Sequence, residues 1–376
     1  MRKHDVVIVG GGVIGLAIAR ALALRGVSDV CLIERSTPGT EASYAAGGML
    51  APQAEADSRD EFFDLCSHSR DLYPDFAAAL LEETGIDIQL DTTGTLYLAL
   101  TEHDQTDIDE RFKWQSEAGL QVEKLSTAEA LQLEPSISPA LTSALYFPLD
   151  YQVDNRQLIN ALVASITKLG VTLITNTTVS SLVVDDLAVK GVQTTNGIIA
   201  GSTVVLAAGP WTSQIDVPGS ITLPHIEPVR GQMLCFTTQP QLYRHVIYSP
   251  RGYLIPRRDG RLISGSTSET AGFSKQVTAG GAHQILRNAL EISPNLATLP
   301  ITDSWSGLRP RAADGLPVLG PCVEINGLFY ATGHYRNGIL LAPITGDLIA
   351  GAVVNQASSP ALDYFGAARF ELTSIS

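Results

Sequence analysis

The sequence has few basic residues and few charged residues of any kind. Its 376 residues include 25 Lys and Arg against 39 Asp and Glu, a formal net charge of -14 at pH 7. A negative surface repels nucleic acid and anionic lipid, so the composition argues against both as partners. The charged fraction of 17% and the hydrophobic fraction of 45% are typical of a packed soluble protein, for which a small-molecule ligand is expected.

The chain also has few cysteines and no apolar run long enough to cross a membrane. Cys31, Cys66, Cys235 and Cys322 are far apart and match no metal-binding spacing, so we expect buried thiols in a reducing compartment and no metal site. The longest nearly uncharged stretch, 198–211, is too short for a bilayer and contains glycines. No cleavable signal peptide is evident, so we predict a cytoplasmic protein without a membrane partner.

The length exceeds what one hydrophobic core usually supports, which predicts two domains that share a ligand. No linker, repeat or low-complexity tract separates them, so we expect them to be interleaved. We assign residues 1–85, 145–220 and 305–376 to a discontinuous nucleotide-binding domain, and residues 86–144 and 221–304 to a substrate-binding domain.

The N-terminus carries a nucleotide-binding pattern. Residues 5–9, DVVIV, predict a buried strand, and Gly10, Gly12 and Gly15 follow in GxGxxG spacing before an apolar helix. The first glycine permits a tight turn, the second lets a pyrophosphate approach the backbone, and the third lets helix and strand pack closely. Glu34 ends the next strand, where its carboxylate can accept hydrogen bonds from a ribose and repel a 2′-phosphate. The pattern predicts a βαβ unit that binds an unphosphorylated dinucleotide.

This spacing does not distinguish NAD from FAD, but two other segments favour FAD. Residues 42–49, ASYAAGGM, offer small side chains and free amides where a bulky ring can lie. Residues 204–211, VVLAAGPW, form a second strand that ends in small residues, among which Gly209 is a candidate cofactor contact. An NAD-dependent dehydrogenase remains the alternative.

Helices and strands alternate along the rest of the chain. Hydrophobic periodicity predicts helices at 60–84, 154–168, 279–291 and 338–354. Strands are predicted at 30–34, 87–100, 171–184, 203–207, 301–309 and 328–332, and several β-rich pieces (GQMLCF, HVIYS, GYLIP and RLISG) are predicted within 229–264.

Two C-terminal segments are more specific: WSGLRPRAADGLPVLG at 305–320 and ATGHYRNGILLAPITG at 331–346. Together with the N-terminal glycines, the AAGGMLAP segment and YLIPR at 253–257, they make the chain resemble the D-amino-acid-oxidase-like flavoenzymes, and the glycine oxidases most closely, along nearly its whole length. The resemblance implies an α/β fold (α+β overall), with a Rossmann-type FAD-binding domain and a substrate domain on a large mixed or antiparallel sheet.

The resemblance also implies site residues. FAD contacts are implied at Val13, Ile14, Glu34, Arg35, Ala42, Ser43, Gly47, Gly48, Met49 and the backbone of Val179, and around the isoalloxazine at His334, Tyr335, Arg336, Asn337, Gly338, Ile339 and Leu340. Arg309, Tyr253 and Arg336 would surround the substrate. Cys322 does not occupy the attachment position of relatives with covalent flavin, so noncovalent FAD is expected.

Residue chemistry supports the arginines independently of the resemblance. The planar fork of Arg309 can bind both oxygens of an amino-acid carboxylate, and Arg336 can add a second positive charge. A helix starting near Gly338 would direct amides at the negative charge of a reduced flavin. We expect hydride transfer from the α-carbon of a neutral amine to flavin N5, followed by reoxidation with oxygen. No side-chain base is obvious, and His334 is interpreted as a flavin or backbone contact.

The resemblance therefore implies oxidative deamination of glycine, with sarcosine or small D-amino acids as further substrates, to a 2-oxo acid such as glyoxylate, ammonia and hydrogen peroxide. It also implies a role in thiamine biosynthesis through the glycine imine, and thiazole synthase as a partner. We further expect a homo-oligomer. Ser268 stands where glycine oxidases can carry a methionine over the substrate, so we expect a larger or wetter pocket there. Glu55 is interpreted as acidic surface.

Two other functions stay open. One is an FAD-dependent D-amino acid dehydrogenase that delivers electrons to an acceptor other than oxygen. The other is a catalytically silent FAD-binding subunit of a larger assembly. Peroxide formation and bleaching of the flavin by small amines distinguish these functions from an oxidase.

Overall fold

The computed structural model describes residues 3–218, 223–355 and 358–370. Within them, the strands are β1 (Lys3–Val9), β2 (Val30–Ile33), β3 (Met49–Leu50), β4 (Thr95–Ala99), β5 (Glu123–Ser126), β6 (Ser143–Phe147), β7 (Tyr151–Gln152), β8 (Thr172–Ile174), β9 (Val179–Asp185), β10 (Ala188–Thr194), β11 (Gly197–Leu206), β12 (Ile226–Thr237), β13 (Val246–Ser249), β14 (Gly252–Pro256), β15 (Arg261–Gly265), β16 (Ile301–Ala312), β17 (Val318–Pro321) and β18 (Leu328–Thr332). The helices are α1 (Val13–Leu24), α2 (Ala42–Ala45), α3 (Pro52–Glu55), α4 (Glu61–Asp71), α5 (Tyr73–Thr84), α6 (Glu102–Glu117), α7 (Thr127–Leu133), α8 (Asn155–Lys168), α9 (Ala279–Ile292), α10 (Ala342–Asn355) and α11 (Pro360–Tyr364). Single 3₁₀ turns occur at Gly209–Gln214, Pro294–Thr298 and Ala367–Phe370.

The first of two eight-stranded sheets contains the predicted βαβ unit. Its main path is β17-β18-β11-β1-β2-β8, and β10 and β9 extend from β11. From β18 to β8 the neighbouring strands are parallel, with Val7 opposite Val204 on one side and Cys31 on the other. All four residues of β2 are buried, as expected for a parallel sheet whose two faces are both covered. Helices α1, α8 and α10 contribute to the core beside this sheet.

The second sheet is large and mixed, which confirms that part of the predicted fold. Its order is β16-β12-β15-β14-β13-β4-β6-β5, and the β13–β4 pair is parallel while the other neighbours are antiparallel. Strands β12 and β16 pair along almost their full length, from Ile226 opposite Ala312 to Phe236 opposite Ile301. This long ladder brings the middle of β16 towards the first sheet, where the cavity described below lies.

The structure differs from the predicted elements in two helical regions. The single helix predicted at 60–84 is two helices, α4 and α5, which meet at Leu72. Pro74 lies in the first turn of α5 and has no N–H to continue α4. The 16-residue helix α6 was missed because its sequence is mostly polar, although Thr101 and Asp104 form a capping box at its start.

The domain boundaries remain predictions. Strand β16 crosses residue 305, where the sequence analysis places the return to the first domain. The boundary after residue 220 lies in 219–222, outside the described residues.

All four cysteines are buried thiols. Among the described residues, no helix is both long and apolar enough for a membrane span.

Candidate active site

A cavity of about 470 Å³ lies where the parallel strands of the first sheet end and the second sheet meets them. From the first sheet it is lined by Val9, Ile33, Ala207 and Thr332, which end or follow β1, β2, β11 and β18. From the second sheet it is lined by Gly231, Met233, Tyr253 and the segment 307–310 of β16. The carboxyl edge of a parallel sheet is where open α/β folds bind their ligands.

The glycines at the start of α1 are required by close backbone contacts. Gly10 has φ +108°, and a Cβ there would lie 2.4 Å from the carbonyl oxygen of Ala207. A Cβ on Gly15 would lie 2.0 Å from the carbonyl oxygen of Gly10. Gly15 is not among the residues that line the cavity. The absence of a side chain at Gly15 lets α1 pack closely against the turn.

The start of α1 presents backbone donors to the cavity. The N–H of Val13 donates to Ser43 Oγ at 3.0 Å, whereas the N–H groups of Gly12 and Ile14 have no acceptor among the described residues. The first turn of α1 contains no acidic side chain. Unpaired donors at a helix N-terminus fit the pyrophosphate of a dinucleotide.

The carboxylate of Glu34 is fixed by backbone N–H groups of the protein itself. Its two carboxylate oxygens accept from the backbone N–H of Gly11 at 2.8 Å and of Ser36 at 2.9 Å. The side chain is buried and lines the cavity directly after β2. A fixed carboxylate at this position suits the hydroxyl groups of a ribose and not a 2′-phosphate.

The Gly47–Gly48 pair forms another part of the wall. Gly48 has φ +76°, and a Cβ there would lie 2.1 Å from the carbonyl oxygen of Val153. On Gly47 a Cβ would lie 2.6 Å from Ile255 Cδ1. Both positions therefore exclude a larger side chain, and the backbone itself faces the cavity.

The turn after β18 corrects the predicted start of the last helix. Helix α10 begins at Ala342 and not near Gly338. Pro343 has no N–H for the carbonyl of Ile339, which accepts instead from the backbone N–H of Ala342 at 3.2 Å and from the buried hydroxyl of Tyr73. Ser69 Oγ donates in the same way to the carbonyl of Leu340 at 2.6 Å.

The amides of this turn remain available in spite of the later helix start. Over the described part of the chain, the N–H groups of Gly338, Ile339 and Leu340 have no backbone or side-chain acceptor. Gly338 and Ile339 line the cavity, whereas the side chain of Leu340 is buried in the core. The turn can therefore donate to a negatively charged ring edge, as a helix N-terminus does.

Arg309 lies on β16 with its guanidinium fixed at the cavity. Its Nη1 donates to the carbonyl of Thr267 at 3.1 Å, and its Nη2 donates to Ser266 Oγ at 2.7 Å. The group packs on Gly231, where a Cβ would lie 2.3 Å from Nη1. Its orientation is therefore set by the protein, and the two bonds leave three of the five N–H donors for a ligand.

Arg336 faces Glu55 across the cavity, which corrects the interpretation of Glu55 as surface. Arg336 Nη2 lies 3.3 Å from Glu55 Oε2, and the Glu55 side chain is only 16% exposed. Asp150 accepts hydrogen bonds from the backbone N–H of Gln53 at 3.2 Å and Ala54 at 2.8 Å, which folds α3 and its glutamate inward. The nearby carboxylate raises the pKa of Arg336, so this arginine stays charged.

Tyr253 also lines the cavity, from β14. Its hydroxyl lies 3.5 Å from Met233 Sδ, and its ring stacks on Tyr248 with ring centroids 6.3 Å apart. Tyr248 in turn stacks on Tyr97 at 5.4 Å. This aromatic stack fixes the plane of the Tyr253 ring against the cavity.

His334 lines the cavity but is fully buried. Its Nε2 lies 3.1 Å from Thr345 Oγ1. Burial lowers the pKa of His334 to about 3, so the imidazole is neutral at physiological pH. A neutral, internally bonded ring fits the interpretation of His334 as a contact residue and not as a base.

The cavity brings together every predicted cofactor and substrate residue except Gly15 and Leu340. Ser268 is exposed and is not part of the lining, so the expectation that it widens the pocket is wrong. Ser266 lines the cavity instead.

Sequence reasoning also missed Trp211 and Met233, which both line the cavity. Trp211 ends a segment selected for its small residues, and Arg35 lies 3.6 Å from its ring centroid. Met233 carries no sequence signal, because only strand pairing brings it to the cavity.

Comparison with known proteins places this site in a family. Residues 5–352 match the family model described as FAD dependent oxidoreductase. The chain is 37% identical to glycine oxidase from Geobacillus kaustophilus, over 99% of this chain and 97% of that protein. It is 38% identical to the bifunctional protein ThiO/ThiG from Trichormus variabilis, over 98% of this chain but 55% of that protein.

Solved structures agree with the sequence matches. The crystal structure of glycine oxidase from Geobacillus kaustophilus superimposes with a TM-score of 0.91 at 36% identity, covering 97% of this chain and 98% of that one. Iminodiacetate oxidase from Chelativorans sp. BNC1 superimposes with a TM-score of 0.86 at 26% identity, covering 96% and 98%. These matches confirm the resemblance, the fold class and FAD as the cofactor, and they exclude the NAD-dependent alternative. The chain therefore belongs to the FAD dependent oxidoreductase family and is a homologue of the glycine oxidases.

Proposed function

We propose that this FAD-dependent amino acid oxidase oxidises glycine with oxygen as the electron acceptor. The observation that carries the proposal is the fixed guanidinium of Arg309, which shares one cavity with Arg336 and with the nucleotide-binding turn of α1. The 37% identity to a glycine oxidase over nearly the whole chain supports glycine as the substrate.

The cavity residues suit a noncovalent FAD. The free amides of Gly12 and Ile14 would hold the pyrophosphate, and Glu34 the ribose. The Gly47–Gly48 wall and the 338–340 turn would hold the ring, and none of the four cysteines lines the cavity. When bound, FAD supplies the acceptor for the hydride of the substrate and passes the electrons to oxygen.

The side chains then orient the substrate. Arg309 binds the carboxylate through its remaining donors, and Arg336 adds a second positive charge on the same cavity. Tyr253 limits the space beside them. With His334 neutral, we propose that the amine reacts in its unprotonated form and that catalysis depends on orientation and electrostatics. The products are glyoxylate, ammonia and hydrogen peroxide.

The experiment compares Arg309→Lys with Arg311→Lys in FAD-loaded protein. Both arginines lie on β16, but Arg311 pairs with Glu227 outside the cavity. We expect Arg309→Lys to raise KM for glycine by roughly 30-fold or more, because weakening one partner of a buried charge pair costs about 2–5 kcal/mol. Arg311→Lys should leave KM unchanged. An unchanged KM in Arg309→Lys would remove this arginine from the substrate site.

A substrate panel tests the reaction itself. Purified protein is given glycine, sarcosine, D-alanine and iminodiacetate, and flavin bleaching and peroxide are measured. Bleaching with equimolar peroxide supports the oxidase. Bleaching that is reversed only by an artificial electron acceptor indicates the dehydrogenase, and no bleaching with any amine indicates the silent subunit.

We also propose that the enzyme acts in the cytoplasm in thiamine biosynthesis, supplies glycine imine to a thiazole synthase and forms a homo-oligomer. The similarity to the bifunctional protein ThiO/ThiG over about half of that protein supports a partner of this kind. Co-elution of the purified chain with a thiazole synthase on size exclusion, and the mass of the chain alone, test the two associations separately.

A further inference from the structure

Arg257 is a buried cation directly behind the cofactor wall. It follows β14, is 3% exposed and does not itself line the cavity. Its Nη2 donates to the carbonyl of Gly47 at 2.6 Å, and a Cβ on Gly48 would lie 2.9 Å from the same nitrogen. The guanidinium therefore touches the outer side of the Gly47–Gly48 wall.

The charge of Arg257 is solvated by neutral oxygens. Besides Gly47, its acceptors are Gln152 Oε1 at 2.9 Å and Asn155 Oδ1 at 3.3 Å. No carboxylate accepts a hydrogen bond from Arg257 anywhere in the described residues. Burial lowers the pKa of Arg257 to about 10, so the group is still a cation at physiological pH.

Asp154 is the acid that attracts the Arg257 charge most, but its carboxylate oxygens accept hydrogen bonds from other donors. Its Oδ1 accepts from the two backbone N–H groups that begin α8, and its Oδ2 accepts from Arg261 at 2.7 Å. A buried charge without a bonded counter-ion destabilises a fold. Arg257 therefore has Asp154 only as an unbonded charge partner, and its hydrogen bonds all go to neutral groups at or behind the cofactor wall, which points to a role at the site.

Arg257 also determines which way the Gly47–Gly48 peptide faces. In a trans peptide the C=O and N–H groups point in opposite directions, so anchoring the Gly47 carbonyl on Arg257 turns the Gly48 N–H towards the cavity. Within the described chain this N–H has no acceptor. Asn155 Nδ2 donates to the carbonyls of Ser43 at 2.8 Å and Tyr44 at 3.0 Å, so the same buried network holds the preceding residues of the wall.

We propose that Arg257 is a positioning residue that raises the electron affinity of the bound flavin, through its buried charge and through the Gly48 N–H that it orients. This rests on the proposed placement of the ring against residues 42–49. Reduction adds negative charge to the ring, and a cation behind the wall favours the reduced form. With an effective dielectric constant of about 20, one charge at about 10 Å changes an equilibrium constant by roughly tenfold.

The experiment measures the midpoint potential of the FAD-loaded protein against reference dyes, and the Kd for sulfite, which adds to electron-poor flavins. Arg257→Met removes the charge and Arg257→Lys keeps it. Gln152→Glu keeps the arginine but places a carboxylate next to its guanidinium, which neutralises the positive charge. The matched control is Arg258→Gln, because Arg258 is the exposed neighbour that pairs with Asp87.

We expect Arg257→Met and Gln152→Glu to weaken sulfite binding about tenfold and to lower the potential by about 30 mV, the tenfold equivalent for a two-electron couple. Arg257→Lys should shift both quantities less, and Arg258→Gln should shift neither. If Arg257→Met does not fold, Gln152→Glu decides, since it removes no buried side chain.

Wild-type potentials in FAD-loaded Arg257→Met and Gln152→Glu would overturn the proposal, as would equal shifts in the Lys and Met variants. Neither measurement needs an amino acid, so failure to oxidise glycine would overturn the proposed function and leave this inference standing. Failure of the wild-type chain to bind FAD would overturn both.

Discussion

Glu55→Gln tests whether the charge of Glu55 weakens the binding of carboxylate ligands in the cavity. In the structure Glu55 is the acid next to Arg336, with 3.3 Å between their charged atoms. A substrate carboxylate must compete with Glu55 for that cation. The substitution keeps the shape of the side chain and removes its charge, so we expect tighter binding of small carboxylates.

The size of the effect follows from the geometry. Coulomb's law gives about 5 kcal/mol for two unit charges 3.3 Å apart at an effective dielectric constant of 20. The Arg336 side chain is 44% exposed, so solvent screens most of this attraction. We therefore expect about 1–2 kcal/mol, which is more than an exposed ion pair contributes and less than a buried one. That range corresponds to about a 5- to 30-fold change in an equilibrium constant.

The inhibition constant of glycolate reports on carboxylate binding alone, because glycolate has the carboxylate of glycine without the amine. We expect its inhibition constant to fall about 5- to 30-fold in Glu55→Gln. Glu41→Gln is the control, since Glu41 also lines the cavity but pairs with Arg35 and Lys275. Weaker glycolate binding in Glu55→Gln would refute the competition. A higher KM for glycine together with tighter glycolate binding would show that Glu55 attracts the amine.

Three further variants test the surroundings of the site. Gly10→Ala should abolish FAD loading, measured by the ratio of absorbance at 450 and 280 nm, because its Cβ would lie 2.4 Å from the Ala207 carbonyl oxygen. Tyr73→Phe should lower the free energy of unfolding in urea by about 0.5–1.5 kcal/mol, because it removes one of the two hydrogen bonds to the Ile339 carbonyl and leaves the one from the Ala342 N–H. Burial raises the pKa of Asp150 to about 7, so its stabilising contribution is complete below about pH 4 and is lost as pH rises through 7. Relative to Asp150→Asn, wild-type stability should therefore fall by up to about 1.4 kcal/mol per pH unit over that range, and a flat difference would contradict the shift.

The nucleotide half of the site could be predicted because its determinants are local. The buried strand, the glycines and Glu34 lie within 34 residues, and each constraint acts on its near neighbours in the chain. The glycine contacts in the structure show why the spacing is so restrictive: Gly15 packs on Gly10 itself. Local periodicity also placed α1, α8 and most of the strands of the first sheet.

The misplaced residues depend on distant partners. The inward position of Glu55 is set by Asp150, which lies about 95 residues later and holds α3 by backbone hydrogen bonds. Pro343 marks the start of α10 locally, but the hydroxyl that reaches the Ile339 carbonyl before it comes from Tyr73, some 270 residues earlier. Ser266 lines the cavity in place of Ser268 because it directly follows β15, whose pairing fixes its position. Sequence patterns describe periodicity and spacing, and these contacts appear in neither.

The two arginines come from different sheets, yet their separation is fixed. Arg309 lies on β16, and Arg336 lies on the turn after β18. The N–H of Tyr335, next to Arg336, donates to the carbonyl of Pro310, next to Arg309, at 2.8 Å. This hydrogen bond joins the two segments that carry the arginines. Two cations held at one cavity repel each other, and among the described residues Arg336 has a carboxylate partner whereas Arg309 has none. An arriving carboxylate relieves that repulsion, whereas an amine without one cannot, and the site should therefore select amino acids over simple amines by their charge.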